Sequence, residues 1–378
     1  MTSLYIARTD TSVVGQWWWT IDRVLLATTL LLVIFGVIFL MAAGPAAAGR
    51  IDVPPLHFVQ RQLVFLVMAL LVMLSISLLS LRWIRRIALL GFLGSLVLMS
   101  VAPFSGMEIK GATRWIQVGS FSLQPSEFLK PTFAVVVGWM FTEGRLNAVF
   151  PGFRIAVLLY AVSLFLLLIQ PDFGQAFVLT VMWGVQFFLA GLPMFWVVCL
   201  GIVSLAGVFG AYTFLPHVQS RIDRFLDPGS GDTYQVEKAL QAFHNGGILG
   251  RGPGEGRIKE QLPDSHTDFI FAVAGEEFGF VVCLILVCLF AGLVLRAMGR
   301  AFYAQNLFSL VVVGGVAVQF GLQALINMAS SLHMIPTKGM TMPFVSYGGS
   351  SLLGLAVGMG VVLSLTRRYA PSTPEGRV

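Results

Sequence analysis

Long, nearly uncharged apolar runs punctuate the chain at approximately 24–43, 62–80, 87–103, 128–141, 154–169, 173–191, 193–215, 269–295, 306–329 and 345–366. A bilayer core about 30 Å thick takes roughly 20 apolar residues per helix. Within it every backbone N–H and C=O must be paired inside the protein. The runs therefore read as about ten transmembrane helices. Stretches such as 26–43 are apolar on every face, which argues against the alternating strands of a membrane β-barrel. Only 11% of the residues are charged, against about 25% in a soluble domain, so the chain cannot clothe itself in a solvated surface. The expected fold is an all-α integral membrane protein. The run at 128–141 is short, and Gln170-Pro171-Asp172 separates two neighbouring runs, because proline and charge together favour a break.

Orientation follows Lys and Arg in short loops. Arg82, Arg85 and Arg86, then Arg145 and Arg154, Arg296 and Arg300, and Arg367 and Arg368 fall on one side of such a bundle, with both termini. That side is expected to be the cytoplasm. Acids such as Asp223, Asp227, Asp232, Glu237, Glu255, Glu260, Asp264 and Asp268 gather opposite. The large loop 216–268, between the seventh and eighth runs, is then extracytoplasmic. The expected organisation is a cytoplasmic lead-in over 1–22, a polytopic membrane domain over 23–369 and a short polar cytoplasmic tail over 370–378. No small-residue cleavage site follows the first run, which reads as a retained helix rather than a signal peptide. Trp17-Trp18-Trp19 suits an interfacial anchor. Cys199, Cys283 and Cys288 all sit inside apolar runs with no metal or disulfide spacing.

Three polar stretches on the outer side, 104–131, 216–268 and 330–350, carry too many structural signals to be mere connectors. Residues 233–245 predict a short amphipathic helix, with Val236, Leu240 and Phe243 on one face. Asp232 and Gln235 suit a capping box, Gly246-Gly247 a stop, and the helix could lie on the membrane surface. Gly250, Gly252, Gly254 and Gly256 then alternate with other residues, followed by Arg257 and Lys259.

The residues able to carry chemistry lie in these stretches. Pro125 suits the first position of a helix. Glu127 follows in its first turn and Lys130 lies three residues on, so the two can pair on one face. A lysine inside an apolar run is a functional candidate, and a structural ion pair is the alternative. Arg114 can fork onto phosphate oxygens and Trp115 can stack on a sugar; interfacial anchoring is the alternative for both. In 262–279 a helix is expected from about Thr267, placing Asp268, Ala272, Gly275 and Gly279 on one face with the carboxylate at its outer mouth; a plain helix-start carboxylate is the alternative for Asp268. Small residues there permit either close packing or a cavity. Glu276 and Glu277 sit deeper and must be paired or wet; a structural network is expected for them. His266 alone indicates little. Asp172 and Gln175 read as a tight turn or the wall of a polar cavity. Within 336–352, prolines and glycines predict irregular backbone; Ser346 suits packing, and Lys338 is a cation able to meet a phosphate.

Taken together, Lys-Gly-Ala-Thr-Arg-Trp-Ile with Gln-Pro-Ser-Glu, Gln-Pro-Asp-Phe-Gly, Leu-Pro-Asp-Ser-His-Thr-Asp-Phe-Ile-Phe-Ala-Val and Pro-Phe-Val-Ser-Tyr-Gly-Gly-Ser-Ser resemble the SEDS (shape, elongation, division and sporulation) family, in family order and over nearly the whole chain. Pro-Thr-Lys-Gly-Met-Thr-Met-Pro is closer to the division branch than to the elongation branch. Pro253 and Phe278 depart from the family pattern. The resemblance implies a peptidoglycan glycosyltransferase acting on lipid II, the undecaprenyl-pyrophosphate-linked disaccharide pentapeptide, in the plasma membrane at the division septum. It matches Asp268 to the family's essential acid, a general base. Arg114, Lys130, Arg257, Lys259 and Lys338 are then candidates for the departing pyrophosphate, with Trp115, Glu127, His266 and Ser346 around the substrate. Grooves between helices would hold the polyprenyl tails. The implied partners are a class B penicillin-binding protein of the FtsI type and divisome membrane proteins of the FtsQ, FtsL and FtsB type, with no nucleic acid. A divalent cation, Mg or Mn, could assist, although the sequence shows no ligand cluster. A lipid II flippase is the rival reading. It needs charge across the whole bilayer, whereas Lys130, Glu276 and Glu277 cluster toward the outer half. A scaffold that only recruits the transpeptidase leaves Lys130 and the polar outer loops unexplained.

Overall fold

The computed structural model describes residues 12–105, 107–109, 112–119, 121–214, 216–226, 234–304, 306–336 and 339–367. The expectations for Asp232, Lys338, Arg368 and the tail lie outside these residues.

A helix carries most of every apolar run, the last one starting four residues into its run, at Gly349. A short helix α1 (Val13–Thr20) precedes α2 (Arg23–Gly49), α3 (His57–Leu78), α4 (Leu81–Ser105), α5 (Pro125–Leu146), α6 (Gly152–Ile169), α7 (Phe173–Leu189) and α8 (Met194–Phe214). The outer loop contributes α9 (Pro216–Leu226) and α10 (Tyr234–Gly246), and α11 (Ile270–Tyr303), α12 (Leu307–Ser331) and α13 (Gly349–Leu365) complete the bundle. Among them α2, α3, α4, α6, α11 and α12 are long and apolar enough to cross a membrane, and α7 and α13 are shorter apolar helices. α5 begins at Pro125 as expected and runs on to Leu146, well past the apolar stretch that signalled it.

α5, α12 and α13 form the centre, with Phe133, Phe141, Phe320 and Met359 fully buried. Lipid tails are as apolar as leucine, so helices in a membrane associate through close packing, which small residues allow. A Cβ on Gly354 of α13 would lie 2.5 Å from the Glu127 carbonyl of α5. One on Gly360 would lie 2.7 Å from the Met73 carbonyl of α3, and one on Gly36 of α2 2.4 Å from the Phe344 carbonyl.

One end of the bundle is tied by arginines. Asp22 caps α2, accepting from the Val24 and Leu25 amides at 3.0 and 3.1 Å. It also pairs with Arg296 and Arg300 at the far end of α11. Arg85 pairs with Glu143 at 3.4 Å, and Arg145 donates to the Ala190 and Gly191 carbonyls. Trp17 donates to Ser77 of α3 at 2.9 Å, while Trp18 and Trp19 carry the Arg23 guanidinium over their rings. The anchor thus has one tryptophan docked in the bundle and two at its rim.

At the opposite end the polar stretch after α4 forms a small antiparallel sheet, β1 (Met107–Ile109), β2 (Ala112–Val118) and β3 (Phe121–Leu123), in the order β1-β2-β3. Periodicity did not reveal it: β1 and β3 are only three residues long, too short to show alternation.

The structure differs from the sequence reading along α11. The helix starts at Ile270 rather than near Thr267, because the Asp264 carbonyl, in a left-handed residue with φ +54°, gathers the amides of Thr267, Asp268 and Phe269 into a turn first. It then breaks at Gly279 (φ +79°, ψ −178°). The glycine-rich outer loop dips into the break. Arg251 and Gly252 amides donate to the Glu276 and Glu277 carbonyls at 3.0 Å, and Phe280 and Val281 amides donate to the Gly247 and Ile248 carbonyls. Irregular backbone survives in a membrane protein only where such partners exist. Gly250, Gly252 and Gly254, with φ of +83°, +111° and +86°, supply the left-handed turns that thread it.

α10 also differs from expectation. It packs on α11 instead of lying free on a surface, and its buried face is Ala239, Ala242 and Gly246, while Leu240 is exposed. A Cβ on Gly246 would lie 1.9 Å from the Gly275 carbonyl, and one on Gly275 2.3 Å from the Phe243 ring. Of the small residues of α11, Gly275 is thus taken up by close packing against α10.

Candidate active site at the outer rim

Three polar clusters stand at this rim. The first surrounds Asp268, half-buried in the turn before α11. Its carbonyl accepts from Asn327 Nδ2 of α12 at 2.9 Å, and the same nitrogen donates to the Met340 carbonyl at 2.7 Å. Ser346 Oγ donates to the Thr267 carbonyl at 2.6 Å and accepts from the Met342 amide at 2.9 Å. The Tyr347 amide donates to the His266 carbonyl at 2.9 Å. Gln62 of α3 holds the same loop, donating to the Ser346 carbonyl and accepting from the Gly348 amide, each at 3.3 Å. The rings of Phe58, His266 and Tyr347 assemble beside it, with His266 4.4 Å from Phe58 and 5.4 Å from Tyr347. Burial pushes the Tyr347 hydroxyl up, and the Arg61 guanidinium pulls against it.

The second cluster is a buried chain. Arg114 on β2 donates from Nε to the Gln170 carbonyl at 3.0 Å and from Nη2 to the Pro171 carbonyl at 2.7 Å. Its Nη1 stands 3.5 Å from Asp172. Gln124 reaches the other Asp172 oxygen, and Gln175 Nε2 donates to Glu127 Oε1 at 2.7 Å. Glu127 Oε2 pairs with Lys130 at 2.8 Å, both side chains being at most 4% exposed. Burial pushes the Asp172 carboxyl up, against the pull of Arg114 and the Gln175 amide. The two clusters join through α13, where Ser350 Oγ donates to the Ser122 carbonyl and accepts from the Gln124 amide.

The third cluster sits at the broken helix. Glu276 accepts from the Arg257 and Ile258 amides at 3.0 and 3.1 Å. Glu277 accepts from the Gly254 amide at 2.8 Å and pairs with Lys259. The two glutamates thus take their partners from the outer loop's own backbone and lysine. Beside them an open groove of about 570 Å³ runs between α2 and the loop. Ile38, Met41 and Pro45 line it on one side and Pro253, Lys259 and Phe278 on the other.

Several residues expected to face a ligand are thus already engaged. Lys130 and Lys259 are buried against carboxylates, Arg114 is spent on the 170–172 turn, and Ser346 Oγ is used as both donor and acceptor. Arg257 is exposed and Trp115 half-buried on β2. Asn327, Gln62 and Arg61 were missed by the sequence reading; an isolated amide or arginine in or beside an apolar run was the available signal. Among the described residues, no three or more His, Cys, Asp or Glu side chains gather to hold a metal.

A bundle of apolar helices with its polar groups gathered at the two ends defines a multi-pass membrane protein. Its family follows from direct comparison: the chain belongs to the FtsW/RodA/SpoVE cell cycle protein family, whose model matches residues 22–370. It is 47% identical over 363 residues to the "Probable peptidoglycan glycosyltransferase FtsW" of Caulobacter vibrioides, covering 96% of this chain and 93% of that protein. It is 34% identical over 349 residues to the protein of the same name in Trichlorobacter lovleyi, covering 90% and 92%. The fold superposes with a TM-score of 0.77 on a chain from a peptidoglycan synthase complex that coordinates polymerization and crosslinking, at 29% identity over 92% of this chain and 98% of that one. The rod shape determining protein RodA of Thermus thermophilus gives 0.69 at 28% identity, covering 92% and 97%.

Proposed function

We propose that this chain is a division-type peptidoglycan glycosyltransferase that polymerises lipid II on the outer face of the plasma membrane. The observation that carries the reading is Asp268, a half-buried carboxylate held at the rim by backbone contacts from two sides, in a chain nearly half identical to a relative named for that activity. The arginine-tied end of the bundle would face the cytoplasm.

In this reading the Asp268 carboxylate takes the proton of the acceptor sugar's hydroxyl. The oxygen attacks the anomeric carbon of the donor, and the bond from that carbon to the pyrophosphate breaks, the electron pair leaving with the pyrophosphate. Cations stabilise that charge; among the described candidates, exposed Arg257 is the one whose side chain is not already committed to a carboxylate or carbonyl, and Lys338 is a further candidate from the sequence. The Phe58, His266 and Tyr347 rings offer a stacking wall for a sugar. The groove along α2 offers an apolar track for a polyprenyl chain. Arg114, Glu127, Lys130, Asp172 and Gln175 serve as the rigid support beneath the rim. The partner would be a class B penicillin-binding protein at the division septum, with the smaller divisome membrane proteins around it.

The test is glycan synthesis from lipid II by the purified complex with the transpeptidase. Asp268→Asn is expected to abolish polymer while thermal unfolding and co-purification stay as in the wild type. Undiminished synthesis removes Asp268 from the mechanism. Lipid II translocation across liposomes without any polymerising activity would favour a transporter instead.

A further inference from the structure

We infer that Asn327 and Gly339 are positioning residues for the Asp268 carboxylate, an inference that rests on the role proposed for Asp268. Asn327 is completely buried on α12, and its amide nitrogen spans two carbonyls, those of Asp268 and Met340. Two acceptors fix which end of the amide faces them, since an oxygen there would meet oxygen. Its own Oδ1 has no partner among the described residues. Burying an amide half satisfied is unfavourable for the fold, and such groups call for a reason beyond packing. The geometry supplies one: a single nitrogen ties the turn bearing Asp268 to the loop at 339–348.

Gly339 acts from the other side. A Cβ placed on it would lie 3.1 Å from Asp268 Oδ2. The missing side chain is thus the seat of the carboxylate. The space taken by the carboxylate gives position 339 a reason to be glycine. The loop is held at its far end by Gln62 and Ser346, so it resists backing away. Added bulk at residue 339 would move the carboxylate instead, by a few tenths of an ångström. Asn327 and Gly339 therefore fix one group along two directions, the backbone by a hydrogen bond and the side chain by contact.

The experiment measures steady-state polymerisation from lipid II in the purified complex for Asn327→Ala, Asn327→Leu, Gly339→Ala and Asp268→Asn, with thermal unfolding of each. Misplacing a reacting group by about 1 Å can cost on the order of 100-fold. Both Asn327 variants are expected to lower kcat roughly 10- to 100-fold, and Gly339→Ala several-fold, while KM for lipid II stays within about twofold. A purely structural role would lower the folded fraction and leave the kcat-to-KM balance of the surviving protein unmoved. That outcome, or wild-type kcat in Gly339→Ala, overturns the inference while leaving Asp268→Asn inactive and the functional reading intact. Activity in Asp268→Asn sinks that reading and takes the inference with it. If the Asn327 variants do not fold, Gly339→Ala, an exposed loop position with one added methyl, decides the matter.

Discussion

The Lys130–Glu127 pair offers the sharpest test of what the buried polar chain is for. The two side chains meet at 2.8 Å and are 1% and 4% exposed, so water screens them little. Lys130→Met keeps most of the volume and removes the charge. Glu127 is left with one neutral donor, Gln175, and breaking a buried pair in this way costs about 3–5 kcal/mol. Glu127→Leu leaves the buried ammonium without its carboxylate. It also orphans the Gln175 amide, whose oxygen already has no partner among the described residues. The double variant removes both charges together. What remains is the orphaned amide, worth about 1–3 kcal/mol. The double variant should therefore unfold above the less stable single, and its loss should fall several kcal/mol short of the two singles combined. Equilibrium or thermal unfolding in one detergent, as a double-mutant cycle, reads this directly. Single variants as stable as the wild type, or a double variant as damaged as both singles added, would refute the reasoning. Polymerisation by the stable double variant then separates the roles: retained activity means the pair supports the fold, and lost activity in a well-folded protein means a charge acts on substrate.

Other outcomes follow from the same contacts. Gly279→Ala places a side chain in a conformation open essentially to glycine, 2.3 Å from the Gly250 amide nitrogen. A loss of about 3 kcal/mol or more is expected from strain and overpacking together, read as a lowered unfolding midpoint and faster proteolysis of the 246–260 loop. Glu277→Ala leaves the buried Lys259 without its carboxylate, at a cost of about 3–5 kcal/mol; Glu277→Ala with Lys259→Met should recover part of it in the same unfolding assay. Burial works to raise the Asp22 carboxyl, yet the Leu25 amide, Arg296 and Arg300 together outweigh it and hold the group below its ordinary value of 3.8. A lowered acid stabilises the fold above pH 3.8, and that contribution fades as pH falls through the folded value. The stability advantage of the wild type over Asp22→Asn should therefore be full at neutral pH and shrink below 3.8, as followed by unfolding across that range.

The membrane class was legible in the sequence alone. Twenty-residue apolar runs leave the backbone no option but helix in lipid, and that constraint is local. Pro125 at the start of α5, and the polar rim residues as a set, were legible for the same local reason. What the rim residues do to one another was not. Whether Lys130 meets a phosphate or Glu127, whether Ala272 and Gly275 border a cavity or seat Phe243, and whether α10 floats or docks are decided by elements far apart in sequence. The break at Gly279 shows why. A glycine in an apolar helix is locally silent, and its φ of +79° is set by a loop some 30 residues earlier that supplies the missing hydrogen bonds. Sequence determined the solvent this chain lives in. Only the tertiary structure determined which buried charges found partners, because that depends on where one helix places its few polar atoms against another.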